Sequence, residues 1–177
     1  TKKSNFIKEL SQGITKMPRV MKKLGLIQFF SWFAFFVMWS LATPSITEYI
    51  FNAPAPEISQ YDMNIIEQKN AFNNDNKKYQ DAADLVGSYM GIYGLSSMGF
   101  ALLLTFFTAR KPINRKLIHL TSLILGGIGF FLIYFISNPN WLILSFALIG
   151  ISWGSILSMP YAMLASSIEE NKMGFYM

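Results

Sequence analysis

With 52% hydrophobic and 16% aromatic residues against only 14% charged, the 177-residue chain lacks the polar surface of an ordinary soluble domain, about a quarter of whose residues are charged. Its net charge of +5 is no nucleic-acid footprint, because the basic residues flank apolar runs instead of gathering on one polar helix or alternating with stacking aromatics. The absence of cysteine excludes disulfide and thiolate chemistry, including any metal site built on sulfur from Cys.

The first 23 residues are basic and amphipathic. Phe6, Leu10, Ile14, Met17, Met21 and Leu24 recur at spacings of three and four, so they share one helical face, and lysines occupy much of the rest. Such a helix fits the headgroup layer of a membrane, or serves as a connector from an earlier domain. It has no apolar core and small-residue cleavage site of the secretory kind.

Four apolar stretches follow, at 24–46, 85–109, 117–137 and 141–167, none containing Lys, Arg, Asp or Glu. A hydrocarbon core about 30 Å thick needs about 20 helical residues, so all four are long enough to span it. The expected fold is all-α and polytopic. In the first stretch Gln28, Trp32, Phe35, Trp39 and Thr43 share a face; two indoles with polar ends suit either a substrate such as a sugar or ordinary helix packing.

Residues 47–84 read as a loop, with breaks at Asn52 to Pro56 and Asn73 to Asn76 and a short amphipathic helix between them using Ile58, Tyr61, Ile65 and Phe72. The second stretch places Gly87, Gly91 and Gly94 beside Ser88, Tyr89 and Tyr93, a pattern for close helix packing. A basic loop at 110–116 leads to the third stretch, nearly pure Leu, Ile, Phe and Gly after Thr121 and Ser122, which is expected to face lipid. His119, near its start, reads as a hydrated interfacial residue. The fourth carries Gly150, Gly154, Ser158, Ala162 and Ser166 at intervals of four, with Trp153, Tyr161 and a bend at Pro160, as expected of a cavity-lining helix.

Four spans put both ends on one side. All basic residues except Lys69, Lys77 and Lys78 fall on that side, so it is cytoplasmic by the positive-inside rule, and residues 47–84 are external. No acid lies inside a span to hold a transported proton, and no nucleophile and base pair, phosphate loop or ligand cluster supports an enzyme.

The run Gly150-Ile151-Ser152-Trp153-Gly154-Ser155-Ile156-Leu157-Ser158-Met159-Pro160-Tyr161, with Glu169 to Met177 after it, resembles the tenth and early eleventh helices of sucrose and maltose transporters of the major facilitator superfamily. Gln28-Phe29-Phe30-Ser31-Trp32-Phe33 is similar to their seventh. At the place of the superfamily's cytoplasmic Gly-x-x-x-Asp-Arg signature only Arg110 and the later Arg115-Lys116 match, with Thr105 and Ala109 replacing Gly and Asp.

The resemblance implies part of a C-terminal six-helix bundle, helices seven to ten and the opening of eleven, whose N-terminal half is missing. It implies alternating access, with proton-coupled import of a sugar or disaccharide through a site touched by Gln28, Trp32, Trp39, Trp153, Ser158 and Tyr161. Gly87, Gly91, Gly150 and Gly154 are the expected packing positions. No cofactor is expected; the partners are a sugar, protons and the lipid bilayer. The abundance of Asn, Lys and Ile fits an AT-rich bacterial genome and a bacterial cytoplasmic membrane. Two other readings remain open: a four-span assembly subunit or homo-oligomeric pore, and a transporter-fold sensor that binds without flux.

Overall fold

The computed structural model describes residues 17–166, which form four long helices, two single 3-10 turns and no strand. The helices are α1 (Arg19–Tyr49), α2 (Ile66–Thr108), α3 (Arg115–Phe135) and α4 (Leu142–Ala165), each long and apolar enough to cross a bilayer. In lipid a backbone must satisfy its own polar groups, and an uncharged apolar run does so as a helix. The chain is an all-α, multi-pass membrane protein. Phe6, Leu10 and Ile14 of the amphipathic stripe, and the expected opening of a further helix after residue 167, lie outside the described residues.

Local chemistry sets the helix ends. Pro18, at φ −54°, stands just before α1 and starts it earlier than the apolar run. Near the other end Pro44 is accommodated inside the helix, and the Thr47 hydroxyl donates to the carbonyls of Thr43 (2.9 Å) and Pro44 (3.1 Å). The Asn114 side chain accepts from Leu117 N at 3.2 Å and caps α3.

The largest difference from the sequence reading concerns residues 47–84. From Ile66 onward they are helix, and Asn73 to Asn76 are no break. At about 1.5 Å per residue the 43 residues of α2 run roughly 65 Å, about twice a hydrocarbon core, so its first turns project beyond the span. Asn and Asp cost a helix only a fraction of a kcal/mol each, and extending an existing helix avoids a new nucleation step. The preceding loop also grips these turns. Tyr61 donates to Asp75 at 3.1 Å, its ring meets Phe72 edge-on at 5.4 Å, and Asp75 pairs with Lys78 at 3.2 Å.

α4 is the central element, packed on three sides. Toward α3, a Cβ on Gly126 would collide with the Ser152 side chain, and one on Gly129 would lie 2.8 Å from the Ser145 carbonyl. Toward α2, a Cβ on Gly150 would strike the Tyr93 carbonyl, and one on Gly154 would lie 3.0 Å from Phe100. Glycine lets these backbones approach where any side chain would hold them apart. On the third side α1 lays Phe35, Met38, Ala42 and Ile46 into a core shared with Val86, Tyr89, Phe146, Ile149 and Ile156.

Two expectations change here. α3 faces outward only on one side, since His119, Ser122, Gly126 and Gly129 are buried against α4. Gly126 and Gly129 make that approach possible. Gly87 and Gly91 meet nothing among the described residues: a Cβ at either would have no neighbour there within 4 Å, and α2 packs instead through Ala82, Val86 and Tyr89.

Candidate functional site

Three indoles from opposite ends of the chain meet beside the α1–α4 contact. Residues 32 and 39 are two turns apart on α1, so both rings project to one flank, and residue 153 reaches them from α4. The Trp153 ring lies 5.1 Å from Trp32 at 78° and 5.0 Å from Trp39 at 86°, both edge-to-face. Trp32 and Trp39 are 6.2 Å apart at 76°. Phe35 closes the floor 4.9 Å from Trp153, and Tyr93 of α2 stands 6.5 Å away. The Tyr93 hydroxyl is buried and has no hydrogen-bond partner among the described residues.

Edge-to-face pairs contribute about 0.5–1.5 kcal/mol each beyond their buried area, so this arrangement fixes the rings in place. It does not use them up. Trp32 remains 44% exposed and Trp39 42%, against 1% for Phe35, leaving indole surface open on a rigid base. Such a surface offers flat apolar faces and indole N–H donors to a partly apolar, hydroxyl-rich molecule.

The other residues singled out in the sequence are placed differently. Gln28, one turn before Trp32, donates from Nε2 to the Ile156 carbonyl at 3.2 Å. The Ser158 hydroxyl donates to the Gly154 carbonyl in its own helix at 2.7 Å. Tyr161 is 64% exposed and about 12 Å along α4 from Trp153, away from the indoles. Gly150 and Gly154 set how closely α2 approaches, and so bring Tyr93 to the cluster.

A cavity of about 820 Å³ lies on the other flank of α1, between Met38, Leu41 and Ile46 and α3 residues Phe130, Ile133 and Tyr134. Its wall is mostly aliphatic and aromatic, with Ser45, Asn52 and Ser137 among the lining residues. It suits an apolar surface such as a lipid chain or another helix, and the indole flank remains the better place for a polar solute.

The chain matches the Major Facilitator Superfamily over residues 2–177. It belongs to that superfamily. No curated protein and no solved structure matches it. The protein is therefore a membrane transporter, with a small molecule as its substrate and lipid around it.

One polar pair in this transporter departs from the sequence reading. His119, expected at the hydrated interface, is 3% exposed, and its Nδ1 lies 2.9 Å from Ser155 Oγ between α3 and α4. The signal was available in the pattern: His119, Ser122, Gly126 and Gly129 fall at spacings of three and four, a polar and small stripe on an otherwise apolar helix. Arg115, one turn earlier, reaches α4 as well, donating from Nη1 to the Ala162 carbonyl at 2.7 Å.

Proposed function

We propose that this transporter is a proton-coupled sugar carrier, taking a disaccharide by alternating access, and not an enzyme. The observation that supports it best is the meeting of Trp32, Trp39 and Trp153 with indole surface left open. A pyranose presents an apolar C–H face that stacks on indole and hydroxyls around its edge, so a rigid indole patch is complementary to it. The resemblance of the Gly150 to Tyr161 run to sucrose and maltose transporters points the same way.

In this reading the three tryptophans hold the sugar, and polar contacts come from a second bundle, the N-terminal half of the same transporter, facing this one. The proton-binding carboxylate belongs to that half. The distribution of lysine and arginine sets the orientation in a bacterial cytoplasmic membrane, with residues 110–114 inside and the projecting turns of α2 outside.

Uptake of labelled sucrose and maltose by proteoliposomes of the full-length transporter, with and without an inward proton gradient, tests the proposal. Accumulation that requires the gradient is expected. Equal uptake without it removes the proton coupling, and no flux or exchange of either sugar overturns the substrate assignment.

A further inference from the structure

A proline inside a helix has no N–H for the carbonyl four residues earlier. In α4 the proline is Pro160, and the carbonyl deprived of its donor is that of Ile156. It is not left bare, because Gln28 of α1 donates to it from Nε2 at 3.2 Å. The amide can lie only one way: turned over, it would set Oε1 against a carbonyl oxygen, acceptor against acceptor. Its remaining end, Oε1, is buried and has no hydrogen-bond partner among the described residues. The bond thus satisfies one acceptor while stranding another, and any movement that gives Oε1 water or a new donor compensates for breaking it.

The bond sits between two sets of contacts. One turn along α1 is the indole cluster; one turn the other way, Leu24 packs in a small core with Met159 and Met163 of α4. Where α2 and α3 meet α4, backbones are locked together through glycine, whereas α1 meets this end of α4 through side chains. Parting α1 from the Pro160 end of α4 must break the Gln28 bond, and Pro160 leaves the Ile156 carbonyl without a donor from its own helix to share it.

We propose that Gln28 is a positioning residue, a clasp that holds α1 to the Pro160 end of α4 and is released when that end of the helix pair opens. It acts on the Ile156 backbone and does not touch substrate; only the kinetic part of its test rests on the indole cluster being the transport site. The structural part needs no substrate at all.

The test uses the full-length transporter in lipid nanodiscs, spin-labelled at cysteines introduced by Lys23→Cys and Ser166→Cys. Distance distributions are compared for Gln28, for Gln28→Met, which keeps side-chain length without the amide, and for Gln28→Met combined with Pro160→Ala. The unaltered clasp gives a narrow, short distance, and Gln28→Met shifts the population to longer, broader distances. Adding Pro160→Ala leaves the distances long, since residue 160 then satisfies the Ile156 carbonyl within α4 but ties nothing to α1. In uptake, Gln28→Met lowers the maximal rate about tenfold with KM changed by less than about twofold.

An unchanged distribution in Gln28→Met, or a narrow distance restored by adding Pro160→Ala, overturns the clasp. So does a raised KM at unaltered distances, which would make Gln28 a direct substrate contact. Where Gln28→Met fails to fold, Gln28→Leu removes the donor with an apolar side chain and is held to the same outcomes. Absence of sugar uptake in the unaltered carrier defeats the substrate assignment but leaves the distance result standing.

Discussion

α4 and α1 are both membrane-spanning helices with a proline inside, yet they are held in opposite ways. Over the most apolar stretch of α4, 56% of residues are buried, against 11% for α1. α4 is fixed by backbone contacts through Gly126, Gly129, Gly150 and Gly154, whereas α1 rests on it by rings, a few aliphatic side chains and the Gln28 bond. Glycine contacts have one geometry and fail abruptly, because the opposing atoms are backbone. Ring and side-chain contacts can re-form at a new angle. The difference places the indole cluster on the boundary between a helix held through its backbone and one held through its side chains.

The sharpest way to break this comparison is to fill a glycine contact. Gly150→Leu drives a side chain into the Tyr93 carbonyl and is expected to cost several kcal/mol and leave little monodisperse carrier on size-exclusion chromatography. Gly127→Leu, one position along α3 from Gly126 and open to its surroundings, is expected to leave yield unchanged. Equal behaviour of the two would deny that backbone approach fixes α4.

A smaller effect is expected at the buried polar pair. Ser155→Ala leaves His119 without its partner in the α3–α4 contact and should destabilise by about 1–3 kcal/mol, seen as a lower melting temperature. His119→Phe combined with Ser155→Ala removes both polar groups and is expected to recover part of the loss. No difference between the single and double variants would mean that the pair contributes nothing to the packing.

The exposed face of α2 sharpens the comparison. Within the described residues a Cβ on Gly87 or Gly91 meets nothing, so alanine there should be neutral or stabilise the helix by up to about 1 kcal/mol. A loss of folded carrier would show instead that another part of the transporter closes on that face.

The smallest effect lies outside the membrane. The hydrogen bond to Asp75, with lesser contributions from burial and from the nearby carboxylate charge, raises the Tyr61 hydroxyl above its ordinary value near 10.0. A group whose folded pKa is raised stabilises fully below the unfolded value and loses that contribution as pH rises through the folded one. Contact between the loop and α2 should therefore weaken on the alkaline side of 10.0, read as faster amide exchange in residues 58–62. Tyr61→Phe should lack that alkaline step, and persistence of the step in the variant would assign it to another group.

The spans and their number were legible because twenty uncharged apolar residues admit few alternatives in lipid. The indole face of α1 was legible too, from the spacing of Trp32, Phe35 and Trp39. Its completion by Trp153 and Tyr93 depends on how three helices pack, which spacing within one helix does not contain. The projecting turns of α2 were missed because Asn73 to Asn76 carry turn chemistry, and the grip of Tyr61 and Phe72 on them is tertiary. Gln28 could be placed on the right face but not given its partner, since the carbonyl that Pro160 vacates lies 128 positions away in sequence.

The most direct measurement is the KM for sugar uptake by the full-length transporter carrying Trp153→Phe, set beside Trp141→Phe at the exposed start of α4. Phenylalanine keeps an aromatic ring at the centre of the cluster but removes the indole surface and its N–H. If the cluster is the substrate site, Trp153→Phe raises KM by about tenfold or more while Trp141→Phe leaves it unchanged. Equal KM values in the two variants, with both carriers folded, would contradict the account.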